Sequence, residues 1–243
     1  MATTYNRLIV AVLLVIACYQ PTHAAGFTAT RLIEDGTFTN NSMTAGQIQQ
    51  FLVSKNSVLA KTRSEQLGDG ANGRSAAQII YDATRGSRTD FATGNGFGPR
   101  HPLLISVNPQ VILVTLQKEQ SLITGRYPLD AGYTQRALRF AMGYGCPDDS
   151  GCAESYSGFT SQVVYASAQL ARNTQLASRS QYPPGRISVF HDQVGRSTAH
   201  VNVRVANAAT SALYQYTPHV YFGNYNFYNF MNTWFLSQRT YVA

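Results

Sequence analysis

Between residues 107 and 123 the chain runs Val-Asn-Pro-Gln-Val-Ile-Leu-Val-Thr-Leu-Gln-Lys-Glu-Gln-Ser-Leu-Ile, apolar on nearly every face, and a buried helix is predicted there. Asn108 supplies an N-cap oxygen and Pro109 fits the first helical position, where a missing N–H costs nothing. Two shorter amphipathic segments precede it. Thr44-Ala-Gly-Gln47 has capping-box spacing ahead of Ile48, Phe51 and Leu52, and Ser75-Ala-Ala-Gln78 repeats it before Ile79, Ile80 and Ala83. The turn formers of 35–42 and 65–74 set these two helices off, and Gly86, Gly94, Gly96, Gly98 and Pro99 mark a long loop over 86–101. Further on, helices are predicted over 134–142, 157–173, 207–216 and 224–235, with Pro218 breaking the last two apart. Ile187–His191 and Ala199–Val205 alternate apolar with polar, and Asp192–Ser197 between them reads as a hairpin loop. The expected class is α+β, mainly helical, with a small β-hairpin and an N-terminal helical pair.

Leu8–Ala17 is an apolar run of signal-sequence length, preceded by Arg7 and followed by Thr22-His-Ala24, small residues suited to a signal peptidase. The run is too short to anchor a mature chain across a bilayer. Residues 1–24 are therefore expected to be a signal peptide, and the protein to be exported to the periplasm, envelope or medium. Val15-Ile-Ala-Cys18 also has the look of a lipoprotein box, so acylation of Cys18 stays open as a second exit. If the leader is cut after Ala24, Cys146 and Cys152 remain as an even pair, and a disulfide across Pro147–Gly151 is expected in an oxidising compartment. Two free thiols are the alternative. The formal charge of +7 is diffuse and includes Arg7, which would leave with the leader; no basic run suggests a nucleic-acid partner. An anionic envelope polymer suits it better.

Glu119 gives the long helix its chemistry. At helical spacing its neighbours are Thr115, Leu116, Leu122 and Ile123, with Ile112 two turns back. A carboxyl leaning on apolar neighbours has its charged form disfavoured, which is how an enzyme keeps a general acid protonated. A solvated surface carboxylate, or one paired structurally with an arginine, is the plainer reading. His191, His200, His219 and Asp192 lack metal-ligand spacing, no Gly-x-Ser-x-Gly elbow occurs, and the glycines at 94, 96 and 98 lack a nucleotide-loop context. No metal or cofactor is expected. Tyr144, Tyr156, Tyr214, Tyr216, Tyr221 and Tyr225 form a dense set near the distinctive blocks, and such rings can face sugars or fill a core.

Four blocks carry a family resemblance: Asn108–Ser121, Ala141-Met-Gly-Tyr-Gly-Cys-Pro-Asp148, Tyr156-Ser-Gly-Phe-Thr-Ser-Gln162 and Leu213-Tyr-Gln-Tyr-Thr-Pro-His219. With Phe38-Thr-Asn40, Met43 and Gln47–Leu52, they resemble a family of exported bacterial proteins with a lysozyme-like domain, across nearly all of the mature chain. The wider superfamily includes lytic transglycosylases and glucosaminidases. The resemblance implies that Glu119 is the catalytic acid and that Gly158–Gln162 stands for a tighter Gly-x-x-Gln turn, with Gln162 touching substrate or bracing Glu119. Gln120 intervenes before Ser121, a departure from the Glu-Ser pair of transglycosylases. Tyr144, Gln162, Tyr216 and Asp148 are the expected substrate-binding residues.

The domain plan that follows is a leader at 1–24, a helical segment and linker at 25–99, and a lysozyme-like catalytic domain at 100–243. The expected activity is cleavage of peptidoglycan glycosidic bonds, by hydrolysis or lytic transglycosylation, with Glu119 acting as acid and then base. Asp130, Asp148 and Asp149 are the candidates for a second carboxylate. A non-catalytic wall-binding or adhesion protein is the rival, and another amino-sugar polymer such as chitin is a further possible substrate.

Overall fold

The computed structural model describes residues 26–68, 70–85, 106–125, 128, 132–194 and 197–237. The leader, Cys18, the glycine-rich stretch of 86–101 and Asp130 lie outside the described residues. Helices dominate, and one two-stranded antiparallel sheet accompanies them among the described residues. No helix among those residues is long and apolar enough to cross a membrane.

The helices are α1 (Asp35–Thr39), α2 (Ala45–Ser54), α3 (Ala76–Thr84), α4 (Pro109–Gln120), α5 (Gly132–Arg139), α6 (Phe159–Gln175), α7 (Ala208–Tyr216) and α8 (Tyr225–Met231). The starts follow the caps. Asn108 accepts the Gln110 N–H, Thr44 and Gln47 close a reciprocal capping box, Ser75 accepts from Gln78, and Asn207 accepts from Thr210. Helix α1 falls in a stretch that reads as turn, and π-helical turns at Val220–Asn224 and Asn232–Leu236 flank α8, which is shorter than the 224–235 helix expected.

Helix α4 is the centre of the core. Pro109 and every residue from Val111 to Gln117 are buried, as an all-round apolar helix requires. Each Leu, Ile or Val so buried contributes about 1.5–3 kcal/mol relative to exposure. One hydrophobic cluster joins Phe38, Ile48, Leu52 and Ile80 to Ile112, Val163, Leu213 and Phe227. Helix α6 packs on α3 and α7, and α4 packs on α8.

The two ends of the described chain are stitched together. Leu32 N–H donates to Thr210 Oγ1 at 3.0 Å, Ala206 N–H to Thr30 O at 2.9 Å, and Asn207 Nδ2 to Ile33 O at 2.8 Å. Asp35 Oδ1 accepts the Ala209 N–H at 2.8 Å, and the Tyr214 hydroxyl donates to Ala29 O at 2.9 Å.

The hairpin is longer than its sequence suggests. Strands β1 (Ile187–Val194) and β2 (Ser197–Arg204) pair from Ile187↔Arg204 to Val194↔Ser197, so Asp192 lies in a strand opposite Ala199. This corrects the loop reading. Period-two alternation points Ser188, Phe190 and Asp192 inward while Ile187, Val189 and His191 face out. A charged residue on the buried face hid the strand, and Phe190 secures it by packing at 4.3 Å between ring centroids on Tyr214.

Candidate active site

Helix α4 stops one turn earlier than its sequence suggests, and that places Glu119. Ser121 adopts a left-handed conformation (φ 54°), and the Gln117 side chain causes the turn to fold back. Its Oε1 accepts the N–H groups of Ile123 (3.1 Å) and Thr124 (2.9 Å), which a continuing helix would have given to the backbone, and its Nε2 donates to Thr124 Oγ1. Leu122 and Ile123 are therefore not helical neighbours of Glu119, contrary to the sequence reading. Glu119 occupies the last turn of α4, where the helix leaves the core.

The carboxylate is partly exposed, at 24% of its side-chain area, and it has a cation beside it. Lys118 Nζ lies 2.5 Å from Glu119 Oε1 and donates to Thr217 Oγ1 at 2.6 Å, while its side chain is only 6% exposed. The setting is thus an ion pair with a lysine rather than a lone acid among apolar groups. On the other side stands Gly143, whose φ is +69°. A Cβ there would stand 3.0 Å from Glu119 Oε2, so glycine satisfies both the left-handed backbone and the close approach. Tyr216 is half-buried, and its hydroxyl donates to Met142 O at 2.8 Å. Burial, with the Glu119 carboxylate and Tyr144 as lesser causes, holds that hydroxyl well above the usual tyrosine range. Glu119, Lys118, Gly143, Tyr216 and Thr217 therefore form one constellation.

Gln162 lies beneath this constellation, fully buried. Its Oε1 accepts the N–H groups of Met142 (3.2 Å) and Tyr144 (3.0 Å), and its Nε2 donates to the carbonyls of Tyr144 (2.9 Å) and Tyr156 (2.8 Å). Both donors and both acceptor positions are used, so the amide braces the backbone around Gly143. The extra residue in Gly158–Gln162 is absorbed at the start of α6, where Gly158 (φ +99°) precedes Phe159.

Cys146 and Cys152 form a disulfide, closing the loop that follows Tyr144. Asp148 sits on this loop with its side chain 82% exposed, and its Oδ2 meets His219 Nε2 at 2.9 Å. Behind the histidine, Asp192 Oδ2 accepts the Tyr221 N–H at 2.6 Å, while Oδ1 has no hydrogen-bond partner and lies 3.9 Å from His219 Nδ1. The hairpin and the disulfide loop thus meet at His219. Asp149 is exposed on the same loop. No group of three or more His, Cys, Asp or Glu among the described residues is arranged to hold a metal ion.

The structure brings Glu119, Tyr144, Gln162 and Tyr216 together around the Met142–Tyr144 segment and puts Asp148 on the adjoining loop. Sequence reasoning passed over Lys118 and Thr217. A lysine beside the acid in the last helical turn, where a cation suits the helix dipole, is the signal that was present. Comparison with protein-family models, with curated proteins and with solved structures finds no match to this chain.

Proposed function

We propose that this protein is an exported, lysozyme-like enzyme that cleaves glycosidic bonds in the glycan strands of peptidoglycan. The observation that carries the reading is the Glu119 carboxyl at the mouth of a buried helix, held between the Lys118 ammonium and a glycine backbone. A rigid helix end fixes the acid's position, and the partly open face leaves room for a leaving oxygen. The leader pattern and the Cys146–Cys152 disulfide support export.

In this scheme Glu119 enters the reaction protonated, its ion pair with Lys118 opened, and gives that proton to the glycosidic oxygen as the C–O bond breaks. The conjugate carboxylate then faces the Lys118 ammonium at hydrogen-bond distance, a charge already in place when negative charge develops. Glu119 next takes a proton from a substrate hydroxyl or from water as the new bond to the anomeric carbon forms. A substrate hydroxyl yields an anhydro sugar and water yields a reducing end.

The test is digestion of purified sacculi by wild type and by Glu119→Gln, with mass spectrometry of the soluble products. Release of muropeptides by wild type and its loss in a folded Glu119→Gln variant is the expected result; equal release by both removes Glu119 from the chemistry. The same ion pair also favours a second reading, a wall-glycan binding protein without turnover, because a carboxylate tied to lysine can serve structure alone. A wild type that binds sacculi and releases no sugar, with Glu119→Gln binding equally well, selects it.

A further inference from the structure

Beside Glu119 the chain builds a cluster of three tyrosines drawn from three different segments. Tyr144 stacks on Tyr165 of α6 with centroids 5.2 Å apart and planes at 27°, and Tyr156 stands edge-on to Tyr144 at 5.0 Å and packs on Tyr165 at 4.7 Å. All three rings are half-buried, each keeping some surface. Their backbones are fixed from below. Gln162 holds both the N–H and the carbonyl of Tyr144 and the carbonyl of Tyr156, and the Ala153 N–H donates to Gly145 O at 2.9 Å immediately outside the Cys146–Cys152 loop, between the two tyrosines in sequence.

Gly145 completes the arrangement. Its φ is +69°, and a Cβ there would stand 2.6 Å from the Tyr156 ring, so only glycine lets that ring lie against the loop. Burial raises the Tyr144 hydroxyl above its usual range and pushes Tyr165 up to about 12, with neighbouring tyrosines adding to both. Tyr144 and Tyr165 thus stay neutral at physiological pH, each a donor and an acceptor.

We infer that Tyr144, Tyr156 and Tyr165 form a pre-organised platform that binds an N-acetylated amino-sugar ring of the strand next to the bond at Glu119. Rings with apolar faces and hydroxyl rims match a pyranose, whose C–H face stacks while its hydroxyl and acetamido groups hydrogen-bond. The Tyr144 backbone adjoins the acid, because it directly follows Gly143, where a Cβ would stand 3.0 Å from Glu119 Oε2. Fixing the rings before binding removes ordering cost from the complex. Gln162 is then a positioning residue, acting through the tyrosines.

The inference rests on the glycan reading, so the test separates the two. Full-length Glu119→Gln, which cannot turn over, is titrated calorimetrically with tetra-N-acetylchitotetraose, and Tyr165→Leu and Tyr165→Phe are compared in that background. Loss of the ring in Tyr165→Leu weakens binding about fivefold to tenfold, whereas Tyr165→Phe, which keeps the ring, stays within about twofold. Unchanged affinity in a folded Tyr165→Leu variant overturns the platform and leaves the glycan reading standing. Absence of saccharide binding by both wild type and Glu119→Gln overturns both. Should Tyr165→Leu fail to fold, intermolecular NOEs decide: contacts between sugar C–H protons and the three rings support the platform, and a bound sugar without them overturns it.

Discussion

Replacing Gln162 by leucine removes one side chain and releases four backbone groups at once. The Met142 and Tyr144 N–H groups lose their acceptor, and the carbonyls of Tyr144 and Tyr156 lose their donor. Leucine nearly fills the volume, so the cost lies in the polar groups. Met142 is fully buried and its N–H has no route to water, which costs about 1–3 kcal/mol, while the half-exposed Tyr144 and Tyr156 segments can recover some hydration at about 0.5–1 kcal/mol each. The sum is roughly 2–5 kcal/mol. Urea unfolding of wild type and Gln162→Leu at neutral pH measures it, and hydrogen exchange at the Tyr144 amide localises it. A stability change below about 1 kcal/mol would refute the view that this amide holds the loop. Gln162→Glu adds a signed test. The ionised carboxylate would set an oxygen against two carbonyls, so the folded state keeps the neutral acid and its pKa rises above the unfolded value of about 4.3. The folded state then binds more protons than the unfolded one, and the variant loses stability as pH rises from 4 to 7. Stability that rises over that range contradicts the geometry.

Gly143→Ala is expected to cost about 1–2 kcal/mol for the left-handed backbone, and its methyl, 3.0 Å from Glu119 Oε2, must also push the carboxyl aside. Product release from sacculi falls tenfold or more in a variant that still folds; full activity there would remove the steric argument. The tyrosines predict alkaline behaviour. Burial raises Tyr214 and Tyr216 above the usual range, so above pH 10 the unfolded chain ionises first and each group costs up to about 1.4 kcal/mol per pH unit. Denaturant midpoints fall between pH 10 and 11, with phenolate absorbance for these groups appearing only on unfolding; a midpoint that holds steady rejects the assignment.

Helix starts were legible because a cap is local: Asn108, Thr44, Ser75 and Asn207 each act within three residues of themselves. The disulfide was legible for the same reason. The end of α4 was not, since nothing in apolar periodicity shows that Gln117 turns its own amide on Ile123 and Thr124. Asp192 read as loop because a carboxylate inside a strand defeats period-two reasoning, and its partner Tyr221 lies far along the chain. Of the candidate site, Glu119, Tyr144, Gln162 and Tyr216 were visible as residues, but Gln162's four contacts and the pairing of Lys118 with Glu119 are properties of the folded chain.

The stitching of residues 29–35 to 206–214 bears on the order of folding. These five hydrogen bonds each join residues more than 170 positions apart. Closing so long a loop costs about 3 kcal/mol more in chain entropy than closing the six-residue span between Cys146 and Cys152. The disulfide loop can therefore close locally, whereas residues 29–35 can dock only once residues 206–214 are in place. Loop-closure entropy therefore places docking of residues 29–35 late, onto an α7 that already packs on α6.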